Sequence, residues 1–141
     1  MSGVTQSSEQ RLRAIEAGRE LQVRQCRADE QYWMRLFWTI ATKAENRDGS
    51  FLLKPFTLRS YQTEFLEYQR THKRLIVLKG RQIGFTETIA AKLAWYAMVN
   101  PSSEIFYVSY RVEDAEKVMK QIRNIGYPNM PGWMTGKGRF P

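Results

Sequence analysis

The chain changes its apolar period along its length, and those changes predict its elements. Leu75-Ile76-Val77-Leu78 is a run of four apolar residues without a charge, the pattern of a strand buried on both faces, as a helix-covered parallel sheet requires. From Thr86 to Val99 the spacing becomes helical, with Ile89, Ala90, Leu93, Ala94, Ala97 and Met98 forming a face of mostly small side chains suited to close packing on a sheet. Asn100-Pro101-Ser102-Ser103 ends that helix, and Ile105 to Val108 reads as a second buried strand. Val112, Ala115, Val118, Met119, Ile122 and Ile125 mark the next helix, with Gly126 at its end. Strand, helix and strand in this order predict a βαβ unit with a right-handed crossover.

Upstream, Glu9 to Arg27 predicts a solvated helix in which Arg11, Arg13, Arg19, Arg24 and Arg27 are partly balanced by Glu9, Glu16 and Glu20. Asp29 opens a better amphipathic helix. Trp33, Leu36, Phe37, Ile40, Ala41 and Ala44 recur on it at steps of three and four, so it should run to the turn formers Asn46-Arg47-Asp48-Gly49-Ser50. Pro55 forces Lys54 extended, after which Thr57 can cap a helix ending near Thr71, with Leu58, Tyr61, Phe65 and Tyr68 on one side. Tyr127 to Pro141 holds three prolines and three glycines and reads as a loop. The expected organisation is a helical region over 1–48, a sheet-bearing part over 49–126 and a tail over 127–141, the tail marking a truncation point.

A chain of 141 residues has room for one domain with a real core. The formal charge of +8 favours polyanionic partners such as nucleic acid. The single cysteine, Cys26, excludes an internal disulfide and fits a reducing compartment. No apolar stretch approaches a membrane span and the N-terminus lacks a signal-peptide pattern, so the expected location is cytoplasmic.

The chemistry concentrates in Lys79-Gly80-Arg81-Gln82-Ile83-Gly84-Phe85-Thr86, which joins the first apolar run to the following helix. Strand, tight loop and helix form the setting in which backbone N–H groups cradle a phosphate. The usual pattern, G-x-x-x-x-G-K-[ST], is matched in part: with Gly84 as its second glycine, the lysine position holds Phe85 and the magnesium-binding hydroxyl is Thr86. Lys79, at the first glycine position, is the candidate for the missing amine, with Arg81 as a second cation. The fold class read from this arrangement is α/β, a partial P-loop NTPase with an incomplete parallel sheet flanked by helices, preceded by N-terminal helices.

These residues resemble the deviant Walker A loop of large terminase subunits, the ATP-driven motors that package DNA into tailed-phage heads. Leu53 to Gln62 is similar to that family's adenine-binding stretch, and Ile105 to Ser109 with Asp114-Ala115 to its second strand and next helix. The resemblance spans roughly residues 51 to 125. It implies ATP and Mg²⁺ as cofactors, Gln62 at the adenine edge with Phe56 or Tyr61 stacked on its ring, and Gly80, Gln82, Ile83, Gly84 and Phe85 around the phosphates. Lys79 and Arg81 would be catalytic through the charge they place on the phosphates, and Thr86 would hold magnesium. An arginine on the developing charge is worth about 10³ or more in rate, which makes Arg81 the residue to watch.

For partners the resemblance implies double-stranded DNA, a small terminase subunit and a portal protein, with a ring oligomer of the full motor and the host cytoplasm as its place. A working motor also needs an apolar strand ending in acids to hold Mg²⁺ and orient water; none follows Thr86, and the Ile105 run ends in Ser109 and Tyr110. The expectation is therefore an ATP-binding portion, without the acidic strand or nuclease domain, that turns over ATP poorly alone. Two alternatives are a fragment of a helicase-type ATPase, against which Phe85 argues, and a noncatalytic nucleic-acid or capsid-assembly module.

Overall fold

The structure is a computed structural model and describes residues 3–45, 51–100 and 102–132. In chain order it contains α1 (Gly3–Ala28), α2 (Glu30–Phe37), β1 (Thr39–Glu45), β2 (Phe51–Pro55), α3 (Ser60–Thr71), α4 (Phe85–Val99) and α5 (Val112–Lys120). A turn of π-helix, Gln121–Gly126, and a 3-10 turn, Tyr127–Asn129, follow α5. No helix among the described residues is long and apolar enough to cross a membrane.

The architecture corrects the expected one. The described residues are mostly helical, and their only sheet is the antiparallel pair β1–β2, with Thr39 opposite Pro55, Ile40 opposite Lys54 and Ala41 opposite Leu53. No parallel sheet is present among them, and the P-loop NTPase fold read from the sequence does not hold. Residues 74–80 and 103–109 carry no strand assignment, and Ile76 and Leu78 are fully exposed, at 102% and 101%. A parallel strand needs neighbours in the hydrogen-bonding direction, and among the described residues none pairs with either run.

The helix expected from Asp29 to Ala44 also stops early. Asp29 caps α2 as anticipated, accepting from the N–H groups of Gln31 and Tyr32 at 2.9 and 3.2 Å. At Trp38, however, the backbone turns extended (φ −85°, ψ 128°), and Thr39 onward pairs with β2. Thr39, Ile40 and Thr42 are β-branched, and the Thr42 hydroxyl donates to the Leu52 carbonyl at 3.0 Å across the hairpin. The cluster 46–50 and the residues Trp133 and Met134 lie outside the described residues.

The core is aromatic: Trp33, Met34, Trp38 and Leu66 are fully buried, with Phe56, Phe65, Phe85, Ala90, Ala91 and Val118 around them. Gly126 is required by contact rather than by φ, because a Cβ there would run into the six-membered ring of Trp38. Two long-range links dock the N-terminal helices on α4. The Trp95 indole donates to the Cys26 carbonyl at 2.7 Å, and Lys92 pairs with Glu30, which Arg70 also approaches at 3.6 Å.

Cys26 itself is fully buried, and burial, aided by the nearby Asp29 charge, pushes its thiol from the ordinary 9.0 up to about 11. The thiolate is the reactive form, so the native protein should be alkylated by iodoacetamide at pH 8 at least 100-fold more slowly than the urea-unfolded chain. Comparable rates would show that Cys26 is accessible. Because the folded state favours the neutral thiol, its contribution to stability is complete below pH about 9 and is lost as pH rises through about 11.

Candidate functional site

The loop from Lys79 to Thr86 is shaped by what α3 does to its carbonyls. The Tyr61 hydroxyl donates to the Ile83 carbonyl at 2.7 Å, and the Gln62 side-chain amide donates to the Gly84 carbonyl at 3.2 Å. The Gly84 carbonyl also accepts from the Thr88 N–H and hydroxyl, each at 3.2 Å. Two residues sit in the left-handed region, Gln82 at φ 60° and Gly84 at φ 78°. Such a turn, with its carbonyls tied down, is the kind of backbone that presents N–H groups to an anion. Gly84 is also the N-cap of α4 and offers no side chain, so the first-turn N–H groups of that helix lack a side-chain cap.

Tyr61 and Gln62 are thus engaged in bracing the loop. Gln62 is 2% exposed; its oxygen accepts the Arg59 N–H at 2.8 Å while its nitrogen serves Gly84. A Cβ at Gly84 would approach that nitrogen to 3.0 Å, which adds to the demand for glycine made by φ. Phe56 is 5% exposed and belongs to the core. The three side chains that the sequence suggests for an adenine contact therefore all have internal partners.

Phe85 explains why the lysine of the usual pattern is absent. It is buried, stacked on Tyr61 with ring planes 6° apart and centroids 6.1 Å apart, and tilted against Phe65 at 4.9 Å. A lysine there would put an amine into an aromatic cluster. Lys79 lines a trough of about 720 Å³ whose wall includes Phe85, Val77, Ile89 and Lys92. Gly80, Arg81, Gln82 and Thr86 are exposed on the loop and the start of α4, and Ile83 is half-buried. Lys79 and Phe85 meet in that trough; Arg81, Gly84 and Thr86 do not line it.

One neighbour of the loop was not singled out by its sequence. Glu87, in the first turn of α4, is half-buried; burial pushes its carboxyl above the ordinary range, and the adjacent Trp38 indole opposes this only in part, its Nε1 lying outside hydrogen-bond geometry. An acid in a helix's first turn ordinarily reads as dipole compensation, which hides such an environment. Among the described residues no group of three or more His, Cys, Asp or Glu side chains is placed to hold a metal ion.

Set against protein-family models, curated proteins and solved structures, the chain matches none.

Proposed function

We propose that the loop 79–86 takes the triphosphate of ATP with Mg²⁺, and that the chain is the ATP-binding portion of a viral DNA-packaging motor of the large-terminase type. The observation that carries this reading is the braced loop itself: carbonyls of Ile83 and Gly84 tied to Tyr61 and Gln62, left-handed Gln82 and Gly84, and an uncapped helix start directly after. Lys79 and Arg81 supply the positive charge there, and both stand in the loop without an acid in 79–86. Thr86, exposed in the first turn of α4, supplies the hydroxyl for magnesium, whose remaining ligands would be phosphate oxygens and water. Bound ATP–Mg²⁺ supplies a transferable phosphoryl group; the chain's own residues bind it, neutralise it and orient it.

Titration calorimetry with ATP, with MgCl₂ and then with EDTA, tests the reading. Magnesium-dependent binding of one ATP per chain is expected, and no heat at millimolar ATP would sink it. The competing noncatalytic nucleic-acid module draws on the exposed arginines of α1, Arg11, Arg13, Arg19 and Arg24. Salt-sensitive DNA binding that nucleotide leaves unchanged, without ATP binding, would favour that module instead.

A further inference from the structure

The two apolar runs that fail to make a sheet are both built as half of one. Along the first, Leu75 and Val77, 38% and 43% exposed, line the trough over α4 while Ile76 and Leu78 are fully exposed; along the second, Phe106, Val108 and Tyr110 are 82%, 88% and 99% exposed and the residues between them are half-buried. Among the described residues, no backbone hydrogen bond reaches residues 74–79 or 104–109. The trough beside the first run adjoins a second cavity of about 310 Å³ beside Ile105 and Phe106, and Ile89, Lys92 and Tyr96 of α4 floor both. A continuous channel therefore runs over α4 beside these two runs, whose backbone N–H and C=O groups have no backbone partner among the described residues.

We propose that this channel accepts one extended, apolar, carboxylate-bearing segment of a partner polypeptide by strand addition. Unpaired backbone rows select an extended backbone, because neither a helix nor an acyl chain has peptide groups free to satisfy them. The period-two exposure supplies alternate positions for the partner's apolar side chains. Charge selects the class of segment: Lys73 and Lys79 line the trough at the first run, with no acid from Arg70 to Gly84, so the partner's carboxylates belong at that end, away from Glu104 in the second cavity. The same cations oppose self-pairing through this edge, since a second copy would set them against their own kind. An edge this long, apolar and open is otherwise an aggregation site.

The probe is a fluorescein-labelled eight-residue peptide of alternating valine and threonine ending in two glutamates, added to the whole chain. Saturable binding is expected, with amide exchange at residues 75–78 and 105–108 slowed at least tenfold, and with at least tenfold weaker binding when two lysines replace the glutamates. Successive N–H groups of an extended chain point to opposite edges, so one of Ile76→Pro and Val77→Pro should abolish the protection. Ile76 contacts nothing that its loss would unpack, and circular dichroism of that variant reports on folding. Binding without protection at both runs, indifference to both prolines, or no binding at millimolar peptide would overturn the proposal. Sedimentation of the chain alone as a dimer with the same amides protected would also overturn it, in favour of a second copy.

Discussion

Replacing Lys79 by alanine is expected to weaken ATP binding roughly 10- to 100-fold, the loss of one charge-assisted contact worth about 1.5–3 kcal/mol. The side chain is exposed at the mouth of the loop and contributes nothing to the core, so the thermal midpoint of the apo protein should stay within about a degree. The contrast with Phe85→Lys sharpens the test. That change restores the usual letters of the pattern, yet it removes a ring packed on Tyr61 and Phe65 and should destabilise the fold without rescuing Lys79→Ala. Unaltered affinity in Lys79→Ala would remove the residue from the site and leave Arg81 as the only cation inside the loop. Calorimetry on the two variants, read beside their melting curves, separates binding from folding.

The largest effect on stability should come from Lys92→Met, about 3–5 kcal/mol, a large fraction of what holds a domain of this size together. Glu30 is 1% exposed and Lys92 is its close partner; Arg70, at 3.6 Å and nearly half exposed, cannot replace it. Removing the lysine strands a carboxylate inside the protein. The reverse change, Glu30→Leu, should cost less, because the Lys92 side chain is 20% exposed and can turn its amine to water. The double variant Glu30→Leu/Lys92→Met is expected to be more stable than Lys92→Met alone, and urea unfolding of the four proteins measures the coupling. Additive effects would show that the pair is a surface contact in function, whatever its burial.

Helix formation was legible in the residues, and sheet formation was not. The helix expected from Thr86 to Val99 is α4 (Phe85–Val99), the one expected to end near Thr71 does so, and Val112 opens α5. These elements close their hydrogen bonds within four residues, so local spacing carries the information. Strand pairing depends on which distant segment supplies a neighbour, and Leu75 to Leu78 has none among the described residues, however strand-like its letters are. The hairpin shows the same limit from the other side. Ile40 and Ala41 satisfy the helical stripe begun at Trp33, but the partner that claims them lies beyond residues 46–50.

The loop was legible as a loop, with Gly84 as its second glycine; that φ and the Gln62 amide demand a glycine there was not. What the letters could not show is that Tyr61 and Gln62, 22 residues earlier in each case, spend their polar atoms on its carbonyls. An aromatic–glutamine pair reads the same whether it faces a base or a backbone. Phe85 is similar: a departure from a motif when read along the chain, and a core residue when seen in place.

The link from the Trp95 indole to the Cys26 carbonyl joins residues 69 positions apart. On a ribosome this ordering has a price in time, since α1 and α2 are synthesised long before α4 exists to receive them. Until Lys92 and Trp95 have emerged, α2 lacks the helix it docks on, and the acid at Glu30 has only the more distant Arg70 as a counter-ion. The nascent N-terminal helices therefore wait as a sticky, unfinished hook, and how quickly translation reaches the nineties decides how long that hook is open to chaperones.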